Sequence, residues 1–532
     1  MSDQRRLLGV LVPDRLLPAA SELFELFKTA WEPAQAGVEY EVVLTHNEAI
    51  EEREGNSLTI VTGGPNPGDR SPTAALGEPR EPGRVTVLGL DLDLLHEWHP
   101  VGTGGEPAAW SGPRHLRIGY DLFAEIHSLL STGQQGAQAL RATCGRHVEV
   151  LRRAMTQAGL PVVEVDAQPA GKRLTVALTH DVDFARLRNH RFDRTAAGFF
   201  YRATVGTIAD FFRGRARLDK VRRNLAAAIK LPLVYLGLAT DPWNRFADYA
   251  EVEAKWRSTF FIIPRAEHPG VRAPGGTIEA TRACRYQASE VAADLIGLER
   301  AGFEVGLHGL DAWTSAEQAR TERLAIQEAS GAGSSGVRMH WLYFDASTYH
   351  ALEDAGFDYD STFGFNDAIG FRAGTGLPFR PLGTERLLEL PLIIQDTALF
   401  YARRMRLDEK QAWALCQEVI DEAQSFGGAV TLLWHMRSIG PERWWGDFYR
   451  RLLEELEARG AWLAPAADII AFARKRRAVR IDASIDHGVL TVNPQTDDPL
   501  DDRISLLVRF PGQEKSTRLP FKRQVVDLAV PA

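Results

Sequence analysis

The sequence predicts an α/β protein in which a parallel (β/α) barrel is preceded by an α/β domain and followed by a small β domain. Two observations lead to this prediction. Over residues 171–476, apolar strand-like runs alternate with helix-like segments, as in parallel sheets whose strands are joined by crossover helices. Several of these strands end directly on Asp, Arg or His, which is typical of barrels whose active site lies at the carboxyl ends of the strands.

Length and composition limit the possible classes. With 532 residues, of which 45% are hydrophobic and 25% charged, the chain is too long for one ordinary domain. A net charge of −8 gives no general attraction for nucleic acid, so we expect no such partner. Cys144, Cys284 and Cys416 lie far apart and form no Cys-x-x-Cys pair, which predicts reduced core residues. No apolar run is long enough for a transmembrane helix.

Residues 1–170 are predicted to form an accessory α/β domain without recognisable catalytic residues. A first strand is predicted at residues 7–12, and helices are predicted at 120–130 and 137–158. The first apolar run is too short for a secretory signal because Pro13 ends it. We therefore expect a cytoplasmic protein.

The barrel is predicted over residues 171–476, and its first strand runs through residues 174–183. In this strand an apolar run leads into His180, Asp181 and Asp183. Later strands are predicted at residues 258–263, 303–308, 336–341, 387–394 and 429–435, and the polar residues at their ends include His308, Arg338, His340 and His435.

Two further segments flank this pattern. An Arg-rich insertion with interleaved aromatic residues is predicted at residues 184–240. Three interpretations of this insertion are open. It covers the site and holds an anionic group such as a carrier diphosphate, it contacts a membrane, or its charged residues simply form solvated helix faces. Residues 477–532 are predicted to form the small β domain, with strands near 488–492, 504–510 and 524–528.

The polar residues at the strand ends suit metal-assisted hydrolysis. A divalent cation held by a few Asp and His ligands keeps positions open for water and substrate, and it lowers the pKa of bound water from about 15.7 towards about 7. A nearby carboxylate can then act as base, and a separate acid can protonate the leaving group. A lone Asp-x-Asp after a strand would more simply cap a turn, but several later strands end on similar residues.

The order of these motifs resembles that of the polysaccharide deacetylases, which are the NodB-homology family or carbohydrate esterase family four. The matching segments are Thr179-His180-Asp181-Val182-Asp183, Gly306-Leu307-His308, Arg338-Met339-His340-Trp341, Asp358-Tyr359-Asp360-Ser361 and Leu432-Leu433-Trp434-His435. The resemblance covers about residues 172–475 and implies a distorted barrel of the NodB type. The first motif has one more residue between its acids than the family's Thr-Phe-Asp-Asp, as in a subgroup with an extra N-terminal domain.

The resemblance implies a role for each matching residue. Asp181 is the expected general base, and Arg338 is expected to pair with it and orient it. Asp183 and His308 are expected to bind the metal, most simply zinc, with cobalt, nickel or manganese as alternatives. His435 is the expected acid.

The sequence departs from the family at the second motif, where the usual second histidine is replaced by Ala312. His340 is the predicted substitute ligand, and Asp311 is the alternative. The role of His180 stays open between supporting the site and simply packing. Arg372 is a candidate for binding an anionic part of the substrate, with a structural ion pair as the alternative.

These residues predict a metal-dependent hydrolase that removes N-acetyl groups from an amino sugar and releases acetate. The expected substrate is a precursor of a cell-surface polysaccharide, including a carrier-linked saccharide. Two alternatives are hydrolysis of another amide or a cyclic imide, and carbohydrate binding without catalysis. The second is less favoured because a binding site has no need of Asp181, Arg338 and His435 together.

Overall fold

The computed structural model describes residues 5–49, 58–65, 75–191, 193–214, 217–333, 335–499, 501–513 and 515–528. Arg215 of the Arg-rich insertion lies outside these ranges. Within them, no helix combines the length and the apolar character needed to cross a membrane.

The central sheet is built from parallel strands and forms the predicted barrel. Its strands in spatial order are Leu388–Glu389, Tyr359–Asp360, Gly336–Met339, Glu304–Gly309, Thr259–Ile262, Leu174–Val182, Ala429–Leu433 and Ile394–Gln395. The long strand Leu174–Val182 also pairs with Ala461–Ala464 along its first half. Every residue of Leu174–Val182 is buried, as expected for a parallel strand that is covered on both faces.

The sheet curls until its two edges are joined by one short segment of chain. The edge strands Leu388–Glu389 and Ile394–Gln395 are close neighbours in the sequence. Between them, the Leu390 amide donates to the Asp360 carbonyl at 2.8 Å, and the Ile393 amide donates to the Thr431 carbonyl at 3.2 Å. The single strand predicted at 387–394 is therefore interrupted, which distorts the barrel. The predicted fold class is confirmed.

Helices surround this sheet. They are Phe246–Val252, Ala292–Arg300, Ala316–Ser330, Thr348–Asp354, Asp396–Phe400, Glu409–Glu422, Gly446–Ala458 and Ala466–Ala478. Helix Ala316–Ser330 shows how the sequence sets their ends. The Ser315 hydroxyl accepts a hydrogen bond from the Gln318 amide, and Gly331 ends the helix in the left-handed region at φ 74°.

The N-terminal segment forms a second α/β layer. Its helices are Leu17–Phe27, Leu122–Ser131 and Thr143–Gln157, and the last two confirm the predicted helices. The strands of its main sheet in spatial order are Gln524–Asp527, Val489–Gln495, Arg480–Asp486, Arg5–Leu11, Tyr40–His46, Leu58–Thr62, His115–Ile118 and Ala108–Trp110, with Trp31–Pro33 also paired to Arg5–Leu11. A separate hairpin contains Gly83–Val87 and Leu90–Leu94.

The C-terminal strands exist as predicted, but they pair with the N-terminal segment. Strand Arg480–Asp486 runs antiparallel to Arg5–Leu11. Strand Ser505–Arg509 lies between Thr517–Pro520 and Val162–Val165, and it is antiparallel to both. The C-terminal strands thus extend sheets that also contain strands from the start of the chain, which satisfies hydrogen bonds at their edges.

The Arg-rich insertion is helical. Residues 194–212 form one helix that contains a π turn at Arg202–Gly206, and Leu218–Tyr235 forms a second. Their inner faces pack around Trp243 through Phe199, Ala203 and Ala228. The insertion thus has a small core of its own beside the barrel.

Candidate metal centre

Asp183, His308 and His340 meet at the carboxyl ends of three barrel strands. His308 Nε2 lies 3.2 Å from Asp183 Oδ1, and His340 Nδ1 lies 3.0 Å from His308 Nε2 and 3.2 Å from Asp183 Oδ1. Three possible ligand atoms therefore form one nearly equilateral triangle, as a metal site requires.

The outer ring nitrogens of both histidines face backbone carbonyls. His308 Nδ1 is 2.9 Å from the Arg338 carbonyl, and His340 Nε2 is 3.1 Å from the Arg282 carbonyl. A carbonyl can only accept, so each of these nitrogens carries the proton. When both rings are neutral, the lone pairs of His308 Nε2 and His340 Nδ1 point towards each other and towards the carboxylate.

Three acceptors that face one another without a donor repel, and a bound cation relieves this repulsion. Burial, which outweighs the attraction of Asp183, lowers the pKa of His340, so this ring favours its neutral form. Ligands about 2.1 Å from an ion are about 3.3–3.4 Å apart in a tetrahedral site and about 3.0 Å apart in an octahedral one. The observed separations of 3.0–3.2 Å match the octahedral value and are slightly shorter than the tetrahedral one.

Asp181 lies next to this triangle and is paired with Arg338, which is fully buried. Arg338 Nη1 donates to Asp181 Oδ1 at 3.0 Å and to the Thr179 hydroxyl at 2.8 Å. Its other nitrogens donate to the carbonyl and hydroxyl of Ser361 at 2.9 and 2.8 Å. The guanidinium is thus fixed by three strands, and it holds Asp181 with its second oxygen, Oδ2, 3.7 Å from His308 Nε2.

His435 also lies next to the triangle and is held by Asp396. Its Nδ1 is 2.6 Å from Asp396 Oδ1, and its backbone amide donates to Asp396 Oδ2 at 2.8 Å. His435 Nε2 faces the cleft, 3.8 Å from Asp183 Oδ2. Burial lowers the pKa of His435, but the charge and hydrogen bond of Asp396, together with Asp183, outweigh it and raise the pKa above its usual value.

Asp396 is the important site residue that sequence reasoning missed. It is fully buried and follows strand Ile394–Gln395 directly. A polar residue directly after a barrel strand was the available signal, since the same pattern identified the other site residues. The break within the predicted strand 387–394 hid it.

His180 belongs to a different network below the site. Its Nδ1 is 2.8 Å from the Trp434 carbonyl, and its Nε2 is 3.0 Å from Glu253 Oε2. The Tyr449 hydroxyl donates to the other Glu253 oxygen. Both His180 nitrogens have protein partners and the ring has no exposed surface, so it supports the barrel.

Asp311 and Arg372 lie away from the triangle. Asp311 Oδ2 is 2.5 Å from His268 Nε2 and 3.3 Å from Arg265, and Asp311 Oδ1 accepts from the Val271 amide at 2.7 Å. His268, for which the sequence indicates no partner, therefore has one in Asp311. Arg372 donates to the Gly364 carbonyl and lies over the rings of Phe344 and Phe363. Asp311 is thus held by contacts outside the triangle, and Arg372 packs on two aromatic rings.

The loop after His340 has an unusual backbone. Trp341 and Leu342 have positive φ values of 63° and 55°, a region that non-glycine residues seldom adopt. The Asn366 side chain donates to the Trp341 carbonyl at 3.0 Å and supports this turn. Such conformations concentrate at functional sites, and here the turn lies between a candidate ligand and the cleft wall.

A cleft of about 750 Å³ opens above these residues, with Asp181, Asp183, His308, His340 and His435 in its lining. Its size suits a small substrate or part of a larger one. Aromatic side chains from three segments also line it, namely Phe184, Trp341 and Tyr401. Arg194 and Thr195 bring the start of the helical insertion to its rim.

Comparisons with known proteins give the following likenesses. No family model and no curated protein matches the chain. Among solved structures, a provisionally assigned polysaccharide deacetylase from Mycobacterium smegmatis shares 21% identity at a TM-score of 0.37, covering 58% of this chain and 93% of that one. The Puue allantoinase shares 14% identity at a TM-score of 0.34, covering 57% of this chain and 91% of that one. A pseudoenzyme of the CE4 family from Bacillus anthracis shares 12% identity at a TM-score of 0.28, covering 57% of this chain and 66% of that one.

At these identities and scores the likenesses carry no argument about chemistry, which rests on the side chains described above. By the curled parallel sheet and the order of its motifs, the barrel has a NodB-like fold. Within that fold, an Asp and two His form one triangle at the strand ends, with a carboxylate and a further His beside it.

Proposed function

We propose that this protein is a metal-dependent hydrolase that removes the acetyl group from an N-acetylated amino sugar. The observation that carries the proposal is the triangle of Asp183, His308 and His340, in which three acceptor atoms face one another at 3.0–3.2 Å. Asp181 and His435 lie beside it, each within 4 Å of one of its members.

Asp183, His308 and His340 would hold a divalent ion, and that ion would supply a polarised water and charge stabilisation at the reacting carbonyl. Asp181, oriented by Arg338, accepts the proton of the water that attacks the acetamide carbonyl carbon. His435 donates a proton to the departing nitrogen as the carbon–nitrogen bond breaks. The products are acetate and the free amine. Asp396 orients His435 through Nδ1 and raises its pKa, which favours the protonated ring.

The sugar substrate is supported by the motif order and by the aromatic residues of the cleft. Flat apolar faces of sugar rings pack well on aromatic side chains, and Trp341 and Tyr401 flank the polar base of the cleft. Zinc stays the expected metal, and a cytoplasmic precursor of a cell-surface polysaccharide stays the expected substrate.

Elemental analysis of the purified full chain tests the metal proposal. We expect about one divalent ion per chain in the wild type, with loss from Asp183→Ala, His308→Ala and His340→Ala. His350→Ala is the matched control, because His350 is exposed and does not line the cleft. Retention of the ion in His340→Ala would contradict the proposed ligand set.

Acetate release from N-acetylglucosamine oligomers tests the reaction. Asp181→Asn should retain the metal and yet lose about 10²- to 10⁴-fold in kcat. A cyclic imide and simple acetamides in the same assay distinguish the alternative amidohydrolase. Metal and saccharide binding without any turnover would instead identify a binding protein.

A further inference from the structure

The large apolar side chains that are exposed concentrate in the helical insertion. Of 15 such side chains among the described residues, 11 lie in residues 200–238. They are Phe200, Tyr201, Val205, Ile208, Phe211, Phe212, Leu218, Ile229, Leu233, Leu236 and Leu238. Single exposed apolar residues are ordinary, but a concentration of this kind marks an interaction surface.

These side chains form stripes on the helices. Tyr201, Val205, Ile208 and Phe212 follow one another at spacings of four, three and four residues on the first helix. Ile229, Leu233 and Leu236 follow at spacings of four and three on the second. Such spacings place residues on one helix face. Phe212 is 82% exposed and Ile229 is 78% exposed, so both stripes face outwards.

The exposed stripes do not result from loose packing of the insertion. Its opposite faces bury Phe199, Ala203 and Ala228 around Trp243. The Asn224 side chain donates to the Thr207 hydroxyl at 2.7 Å and links the two helices. The helices are therefore held with these stripes directed away from the rest of the protein.

The charge of this segment is opposite to that of the whole chain. Residues 191–240 contain ten Arg or Lys and three Asp, whereas the full chain has a net charge of −8. Among the described residues of this segment, the exposed basic side chains are Arg191, Arg194, Arg213, Arg217, Arg222, Arg223 and Lys230. Asp219 is the one exposed acid among them. The apolar stripes are thus bordered almost entirely by positive charge.

We propose that residues 194–238 form a docking surface for an anionic phospholipid bilayer. Helices that bind at the surface of a membrane combine one apolar face with Lys and Arg beside it. The apolar stripes would enter the boundary between headgroups and acyl chains, and the basic residues would contact anionic headgroups. A protein partner with a large acidic surface fits less well, because the most exposed groups here are Phe, Ile and Leu.

Docking in this way would bring the cleft close to the membrane surface. Arg194 and Thr195, at the start of the first helix, line the rim of the cleft. A substrate anchored to a membrane lipid would then lie within reach of the site. The docking itself does not depend on the proposed hydrolysis, and it is tested without any activity measurement.

Vesicle co-sedimentation of the full chain tests the proposal. We expect the protein to sediment with vesicles of phosphatidylcholine and phosphatidylglycerol, and much less with phosphatidylcholine alone. The double variant Phe212→Ser/Ile229→Ser should lose about tenfold or more in affinity for the anionic vesicles. The matched control Leu324→Ser/Val525→Ser removes apolar side chains of similar exposure, 55% and 61%, elsewhere on the surface. This control should bind as the wild type does.

A charge variant separates the two contributions. Arg217→Glu/Arg222→Glu should weaken binding and reduce its dependence on salt, because salt screens the attraction between headgroups and exposed cations. Unchanged melting temperatures would show that all variants fold. Failure of the wild type to sediment with anionic vesicles would overturn the proposal. So would wild-type binding by Phe212→Ser/Ile229→Ser, or a dimer in size-exclusion chromatography that this variant abolishes while vesicles bind neither protein.

Discussion

Two of the histidine–carboxylate pairs in the barrel, His435–Asp396 and His180–Glu253, differ in what the second ring nitrogen meets. In the His435–Asp396 pair, Nδ1 contacts the carboxylate and Nε2 faces the cleft. In the His180–Glu253 pair, Nε2 contacts the carboxylate and Nδ1 contacts the Trp434 carbonyl. The side chain of His435 is 14% exposed, whereas that of His180 is not exposed at all.

This difference supports the role proposed for His435. A histidine can exchange protons with a substrate only through a nitrogen that no protein group occupies. Nε2 of His435 has no hydrogen-bond partner in the protein, whereas both ring nitrogens of His180 have one. Both residues lie at motif positions, so a carboxylate partner alone does not distinguish them, and the proposal of His435 as the acid rests on its free nitrogen.

The largest expected effect follows from removing the free nitrogen. His435→Asn places an amide N–H near the position of Nδ1, which keeps a donor for Asp396, but it removes Nε2. We expect kcat for acetate release to fall about 10²- to 10⁴-fold, while metal content and melting temperature stay near those of the wild type. A loss of metal equal to the loss of activity would show that His435 is a ligand and contradict its role as acid.

For the His180–Glu253 pair we expect the reverse, namely a loss of stability with little loss of activity. His180→Phe keeps an aromatic ring but leaves Glu253 and the Trp434 carbonyl without this partner. We expect a loss of about 3 kcal/mol in the free energy of unfolding, measured by urea denaturation, with kcat of the folded fraction within about threefold of the wild type. A stable but inactive variant would show that His180 takes part in the reaction.

A smaller effect on kcat is expected from changing Asp396, the carboxylate partner of His435. Asp396→Asn removes the charge that raises the pKa of His435. Because the raised pKa keeps the acid form present at higher pH, the alkaline limb of the kcat profile should move to lower pH in the variant. We also expect kcat at its optimum to fall about 10- to 100-fold. If the alkaline limb of the variant's kcat profile stays at the wild-type pH, that limb does not report the titration of His435.

The smallest effect is expected at Tyr249, which contacts both pairs. Its ring lies 4.0 Å from that of His180, and its hydroxyl donates to the His435 carbonyl at 3.0 Å. Tyr249→Phe removes only that hydrogen bond. We expect about 1 kcal/mol less stability and less than about a threefold change in kcat. A larger loss of kcat than in Asp396→Asn would show that the backbone of His435, rather than its carboxylate partner, positions the ring.

Much of the barrel could be predicted from the sequence, because several of its strands are apolar runs that lead into a polar residue. The runs into Asp181 and His435 are examples, whereas the short strands Tyr359–Asp360 and Ala461–Ala464 were not predicted. The break near Pro391 within the predicted strand 387–394 could not be predicted. The two edge strands that replace it, Leu388–Glu389 and Ile394–Gln395, contain only two residues each. The pairing of Arg480–Asp486 with Arg5–Leu11 could not be predicted either. Hydrogen bonds between strands that are far apart in the sequence leave no pattern in either segment.

For the candidate site, the sequence by itself determined which residues can carry the chemistry: Asp181, Asp183, His308, His340 and His435 all follow or end predicted strands. Only the tertiary structure decided which of their atoms are available. The parallel register places the Arg338 carbonyl against one imidazole nitrogen, the 3-10 turn Ala280–Arg282 brings the Arg282 carbonyl to a second, and Asp396, at the start of a helix, meets a third. The physical reason is that hydrogen bonding fixes which ring nitrogen is left free, and the partners come from strands and loops far away in the chain.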